Sequence, residues 1–82
     1  MALVNMPDDV ATKIRARRAL PAPAMRKAIR VAANITQTDL ASCIDPPVTR
    51  ETVARWESGA RTPRGDILAQ YVDVLHQLSE PA

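Results

Sequence analysis

Apolar residues recur along this chain three and four positions apart and almost nowhere alternate with polar ones, which is the period of helices. Val10, Ala11 and Ile14 mark a first stretch from about Pro7 to Leu20. Pro7 suits its first turn, and Asp8 and Asp9 stand where the helix dipole favours carboxylates. Pro21 and Pro23 stop this helix and start the next, because a proline in a helix interior removes a hydrogen bond and clashes with the preceding turn. From Ala24 to Ala33, the residues Met25, Ala28, Ile29 and Ala32 repeat the helical spacing. Asn34 follows, a residue that tolerates the left-handed conformation of a helix stop.

Two sharper starts come next. Thr36 stands three residues before Asp39 as a capping box, with Ile35 and Leu40 placed as its hydrophobic staple. Thr49 repeats the device ahead of a helix beginning at Arg50, with Val48 set against Val53, and Gly59 ends that helix. Between the two, Asp45-Pro46-Pro47 has to turn. Asp66 is placed to cap a last helix whose apolar stripe is Ile67, Leu68, Tyr71, Val72, Leu75 and Leu78. The expectation is an all-α fold of about five short helices without strands. Residues 1–20 form an N-terminal helical extension, 21–79 the main domain and 80–82 a tail.

Length and composition narrow the chemistry. The chain has 82 residues, and a chain of this size buries only about 60% of the surface its unfolded form exposes, enough for one small core. Trp56 belongs in that core, three residues from Val53. Cys43, the single cysteine, cannot form an internal disulfide and is expected as a small buried hydrophobe. His76, the single histidine, has no companions for a metal site or a catalytic triad. A phosphate-binding glycine loop, an HExxH motif and a cysteine pair are all missing, so no enzyme activity, cofactor, metal or small-molecule effector is expected. No apolar run approaches the roughly 18 residues that cross a bilayer. Met1-Ala2-Leu3-Val4 lacks a signal peptide's basic start, so a cytoplasmic location without a membrane partner is expected.

The formal charge is only +2, yet it is unevenly distributed. Lys13, Arg15, Arg17, Arg18, Arg26, Lys27 and Arg30 follow one another with no acid among them, and arginine supplies nine of the eleven basic residues. The guanidinium fork matches phosphate and guanine better than a lysine point charge does. With a pI near 9.2, this run makes a polyanion a candidate partner. The competing reading is a set of solvated helix faces.

Two short helices, each capped by threonine and joined by a turn, outline a helix-turn-helix. Residues 24–78 resemble the Cro/repressor-type (XRE-like) helix-turn-helix domains of phages. The residues that carry the resemblance are Ile29-Arg30, Ile35-Thr36-Gln37, Leu40-Ala41, Val53, Trp56-Glu57, Gly59, Arg61, Pro63 and the helix from Ile67 to Leu75. The resemblance implies a sequence-specific regulator of transcription, Cro-like or a small repressor. Its partner would be a double-stranded DNA operator, read in the major groove by helix 50–58. Arg50, Glu51 and Arg55 would contact bases, since arginine can bond guanine O6 and N7 together and glutamate can accept from cytosine N4. Glu51 and Arg55 are also spaced for an intrahelical pair, which would either aim Arg55 at a base or decorate a solvent face.

Gln37, Thr49, Thr52, Arg61 and Arg64 would contact phosphates, Gln37 from the first turn of its helix. Arg30 and Glu57 match a pair that is ion-paired in related domains, a strut between helices with a secondary role for Arg30 at the phosphate. Arg15, Arg17, Arg18, Arg26 and Lys27 would add further backbone contacts.

The turn from Asp45 to Val48 is two residues longer than the family's usual one, so Pro46-Pro47 should bulge it or tilt the reading helix. The N-terminal helix has no counterpart in the shortest relatives and is expected to pack back on the domain. A two-fold dimer would read half-sites roughly 34–36 Å apart, with self-association expected on DNA rather than in free solution. The alternative function, of a different class, is a protein-binding module on the same fold, an antitoxin or a coactivator-type adaptor.

Overall fold

The structure is a computed structural model that describes residues 8–80, and among the described residues there are helices and no strand. Helix α1 spans Asp8–Ala19, α2 Pro23–Ala32, α3 Gln37–Ser42, α4 Arg50–Ser58 and α5 Gly65–Ser79. The expectations placed on Pro7, on Met1 to Val4 and on residues 81–82 lie outside the described residues.

The local signals act where the sequence puts them. Thr36 Oγ1 accepts from the Asp39 N–H at 3.0 Å, and Asp39 Oδ2 accepts from the Thr36 N–H at 3.1 Å, so the capping box at α3 is complete. Hydrogen bonding from Thr36, first from its backbone N–H and then from its side chain, holds the Asp39 carboxyl below its ordinary range. Thr49 Oγ1 accepts from the Thr52 N–H at 3.1 Å and starts α4. Asn34 takes a left-handed φ of 59°, and Gly59 ends α4 at φ 84°. Pro23 opens α2 as its first residue. The last helix departs from the expected pattern. Arg64, not Asp66, occupies the cap position of α5 and makes no side-chain cap bond, leaving Asp66 in the first turn.

Leu40, Ala41, Ile44, Val53, Trp56, Tyr71 and Leu75 form the core, with Leu20, Ile29, Ile35, Val48, Ile67, Val74 and Leu78 packed around it. The Trp56 and Tyr71 rings meet with centroids 4.6 Å apart. Burial pushes the Tyr71 hydroxyl pKa up to about 12, and that hydroxyl has no hydrogen-bond partner within the described chain. Helix α1 packs along α5, burying Ala11 and Ala16. Val10 and Ile14 line a groove there with Leu68.

The faces of α2 go beyond what its helical spacing gave, and the expectation that Cys43 is buried is overturned. Helix α2 turns Met25, Ala28 and Ala32 outward, with Met25 and Val31 each 54% exposed, and buries Arg26 and Arg30 instead. A period alone cannot separate the two faces when a long cation finds carbonyl and carboxylate partners inside. Cys43 is exposed. Helix α3 ends one residue before it, and Ile44, beyond the helix, fills the core position at 1% exposure.

Candidate nucleic-acid interface

Helix α4 divides its side chains cleanly. Val53, Trp56 and Glu57 face inward, while Arg50, Glu51 and Arg55 are exposed and Thr52 is half-buried beside them. Arg55 lies five positions after Arg50, about 7.5 Å further along the axis and about 140° round the helix. The outer face therefore presents two guanidinium groups along less than two turns.

What holds α4 in place is a set of buried arginines on α2. Arg30 Nε donates to Glu57 Oε2, Nη2 donates to Oε1 at 3.0 Å, and Nη1 donates to the Ile35 carbonyl at 2.8 Å. Arg30 and Glu57 are 8% and 7% exposed. Burial acts to raise the Glu57 carboxyl, but hydrogen bonds from Arg30 and Gln37 and the fields of Arg30 and Lys27 outweigh it and hold it below its ordinary range. Arg26 braces the far end of α4. Its Nη1 donates to the Trp56 carbonyl at 2.8 Å and its Nε to the Pro21 carbonyl at 2.7 Å. Gly59, just past the helix, lies so close to Pro23 that a Cβ there would stand 3.2 Å from Pro23 Cγ. The expectation that Arg26 adds a backbone contact therefore gives way to an internal role, because at 7% exposure its guanidinium is committed to two carbonyls.

The start of α4 is tied to α3 by Gln37. Its Nε2 donates to Glu57 Oε1 at 3.1 Å and its Oε1 accepts from Arg50 Nη1 at 3.1 Å. A relay thus runs from the buried pair to an exposed guanidinium on α4. Glu51 pairs with Arg50, at 3.5 Å between Oε2 and Nη2, rather than with Arg55 as its spacing allowed. Both partners are more than half exposed, so the pair contributes little to stability. Thr49 is the α4 cap, and its hydroxyl lies 2.9 Å from that of Thr52. Lys27 joins Gln37 and Arg50 around an open cleft of about 650 Å³, whose other walls include Thr36 and Thr38.

Beyond the other end of α4, the Arg61 N–H donates to the Arg55 carbonyl at 3.2 Å and folds the loop back onto the helix. Arg61 and Thr62 share a hollow with Thr52 and Arg55. Arg64 lies further along the same loop and is exposed. Arg15, Arg17 and Arg18 are exposed on α1.

The seven residues from Cys43 to Thr49 form the connection between α3 and α4, longer still than the sequence suggests because α3 stops early. The Asp45–Pro46 peptide is cis, and Asp45, Pro46 and Pro47 bulge into solvent. Three anchors fix this bulge: Ile44 in the core, the Val48 N–H donating to the Ala41 carbonyl at 3.3 Å, and Gln70. Gln70 on α5 accepts from the Asp45 N–H at 2.7 Å and donates to the Asp45 carbonyl at 2.8 Å. Sequence reasoning missed Gln70. Its only trace is a polar residue among Ile67, Tyr71 and Val74, which gives no hint of a partner 25 positions away.

A family model for helix-turn-helix domains matches residues 27–80, from within α2 to the residue after α5. The chain belongs to the Cro/repressor-type (XRE-like) helix-turn-helix family. No protein of curated function and no solved structure gives a significant match to it. Helix-turn-helix domains of this family are regulatory domains that bind double-stranded DNA and are not typically enzymes. Among the described residues, no three His, Cys, Asp or Glu side chains gather as a metal site would need, and no helix is long and apolar enough to cross a membrane. Helix α1 precedes the matched segment, so the family account leaves its basic side chains unassigned.

Proposed function

We propose that this domain is a sequence-specific regulator of transcription, Cro-like or a small repressor, and that it reads the major groove with the outer face of α4. The observation that carries the reading is the placement of Arg50 and Arg55 on an exposed face whose opposite side is locked by buried ion pairing and core packing. A nine-residue helix is about 13 Å long, comparable with the roughly 12 Å width of the major groove. The cleft of Lys27, Gln37 and Arg50 lies at one end of α4 and the loop of Arg61 and Arg64 follows the other. In this reading Arg50, Glu51 and Arg55 contact base edges, while Gln37, Thr49, Thr52, Arg61 and Arg64 contact phosphates. Gln37 has a second amide hydrogen free for that contact while the first stays on Glu57. Arg30 is the strut behind them. The chain pairs on DNA across a two-fold operator.

A protein-binding module, antitoxin or adaptor, is the second reading. One observation favours it: on the outer face of α2, Ala24, Met25, Ala28, Val31 and Ala32 are exposed together, with Lys27 at the edge of that apolar patch. Salt separates the two. Release of phosphate counterions makes log K fall linearly with log salt, by about 0.9 for each phosphate contact on B-form DNA. Fluorescence anisotropy with mixed-sequence duplexes is expected to give a steep negative slope. A response flat in salt would favour the protein-binding reading.

A further inference from the structure

The basic run on α1 lies outside the family-matched residues, yet one of its arginines converges with the loop after α4. Arg17, in the last turn of α1, lines an open cleft of about 860 Å³ together with Arg61, Thr62 and Arg64. Leu20, Arg26, Ala60 and Pro63 complete the walls, so the lining holds four arginines and no acidic side chain. Asp66 lies nearby in sequence, two residues past Arg64, but is not part of the lining.

This convergence is held by the structure. Buried Arg26 donates both to the Pro21 carbonyl, in the link after α1, and to the Trp56 carbonyl near the end of α4. Leu20 packs against the core, and Pro63 is buried. Arg26 thereby ties the link after α1 to α2 and α4, and the Arg61 N–H on the Arg55 carbonyl ties the loop to α4, so the two segments that carry the cleft share one frame. The cleft also adjoins the hollow of Thr52, Arg55, Arg61 and Thr62, sharing Arg61 and Thr62 with it. A chain of donors thus runs from the outward face of α4 to α1.

We infer that Arg17 forms a phosphate clamp with Arg61 and Arg64, so that α1 grips the phosphodiester backbone of double-stranded DNA on the side of α4 opposite Lys27, Gln37 and Arg50. The clamp rests on the DNA-binding reading above and adds to it a contact from a segment that the family match does not cover. Converging arginines suit a phosphodiester, since each fork offers donors to its unesterified oxygens. The contact carries affinity and register but no sequence preference. Of the basic residues on α1, only Arg17 reaches this cleft. Arg15 sits two positions earlier, about 200° round the helix, and is not among the lining residues.

The test uses the full chain, a fluorescein-labelled mixed-sequence duplex and anisotropy across a salt series, for the parent and for the variants Arg17→Gln, Arg17→Lys and Arg15→Gln. Arg17→Gln is expected to reduce the magnitude of the salt slope by about 0.9, the loss of one phosphate contact. Arg17→Lys should keep most of the slope, and Arg15→Gln should match the parent. Thermal melts accompany each variant, and Arg17 is exposed, so unchanged melting temperatures are expected. A parent slope that is steep while Arg17→Gln leaves it unchanged removes the clamp and spares the DNA-binding reading. An equal reduction by Arg15→Gln also overturns the clamp, because general positive charge would then explain the effect. A flat parent slope overturns the DNA-binding reading and the clamp with it.

Discussion

Replacing Arg30 with methionine isolates the strut that sets α4 against α2. The guanidinium makes two bonds to Glu57 and one to the Ile35 carbonyl, and both members of the pair are more than nine-tenths buried. Without it, Glu57 keeps a single hydrogen bond, from Gln37 Nε2 at 3.1 Å. Stranding one partner of a buried pair costs about 3–5 kcal/mol. A chain of 82 residues has about 4–12 kcal/mol in total, at about 0.05–0.15 kcal/mol per residue. The single change therefore removes a large part of the stability. With a urea m-value of about 1 kcal/mol/M for so small a protein, the unfolding midpoint should fall by about 3 M or more, or the variant should be unfolded without denaturant. Helical circular dichroism against urea measures it. Arg30→Met combined with Glu57→Met removes both charges together and should recover most of the loss, because a packed apolar pair needs no counter-charge. A loss under about 1 kcal/mol in the single variant, or simple additivity of the two single changes in the double, would refute this account of the strut.

Gly59→Ala meets both a left-handed φ and Pro23 Cγ at 3.2 Å, so a destabilisation of about 1–2 kcal/mol is expected in the same urea assay, and a neutral result would contradict it. Tyr71→Phe deletes a buried oxygen without a hydrogen-bond partner within the described chain, so stability should stay within about 1 kcal/mol of the parent or rise; a loss of more than about 2 kcal/mol would mean the hydroxyl is bonded. Asp39 and Glu57 both have folded pKa values below their ordinary ones, 3.8 and 4.5. Their contribution is therefore present above the unfolded pKa and lost as the pH falls through the folded one. Melting temperature should thus be level near neutral pH and drop below about pH 4.5, with a shallower drop in Glu57→Gln. An acid limb as steep in that variant as in the parent would assign the loss elsewhere.

The elements legible in the sequence are those whose cause is local. Thr36 with Asp39, Thr49 with Thr52 and the stop at Gly59 are settled within a few residues, and the helices begin and end accordingly. The outer face of α4 follows from Val53 and Trp56, which claim the opposite side. What the sequence hid depends on distant partners. Arg26 is internal because a carbonyl 30 residues away accepts from it, and a run of cations in the sequence looks the same whether each is solvated or buried. The α3–α4 connection is held by Gln70 from the last helix, and Cys43 lost the core to Ile44 because α3 stops at Ser42. In the candidate site, the types of Gln37 and Arg50 were readable, but their mutual bond was not, since it joins positions 13 apart.

Base selection by α4 is tested most directly by measuring how strongly the protein prefers its own site. Duplexes selected from a random pool by the parent chain supply that site, and competition against a mixed-sequence duplex gives the preference, for the parent and for Arg50→Ala/Arg55→Ala. Each bidentate arginine–guanine contact is worth about 1–3 kcal/mol of discrimination, so losing two should reduce the preference by about 30-fold or more, with folding intact by circular dichroism. A double variant that discriminates as well as the parent would contradict the reading of DNA by this helix.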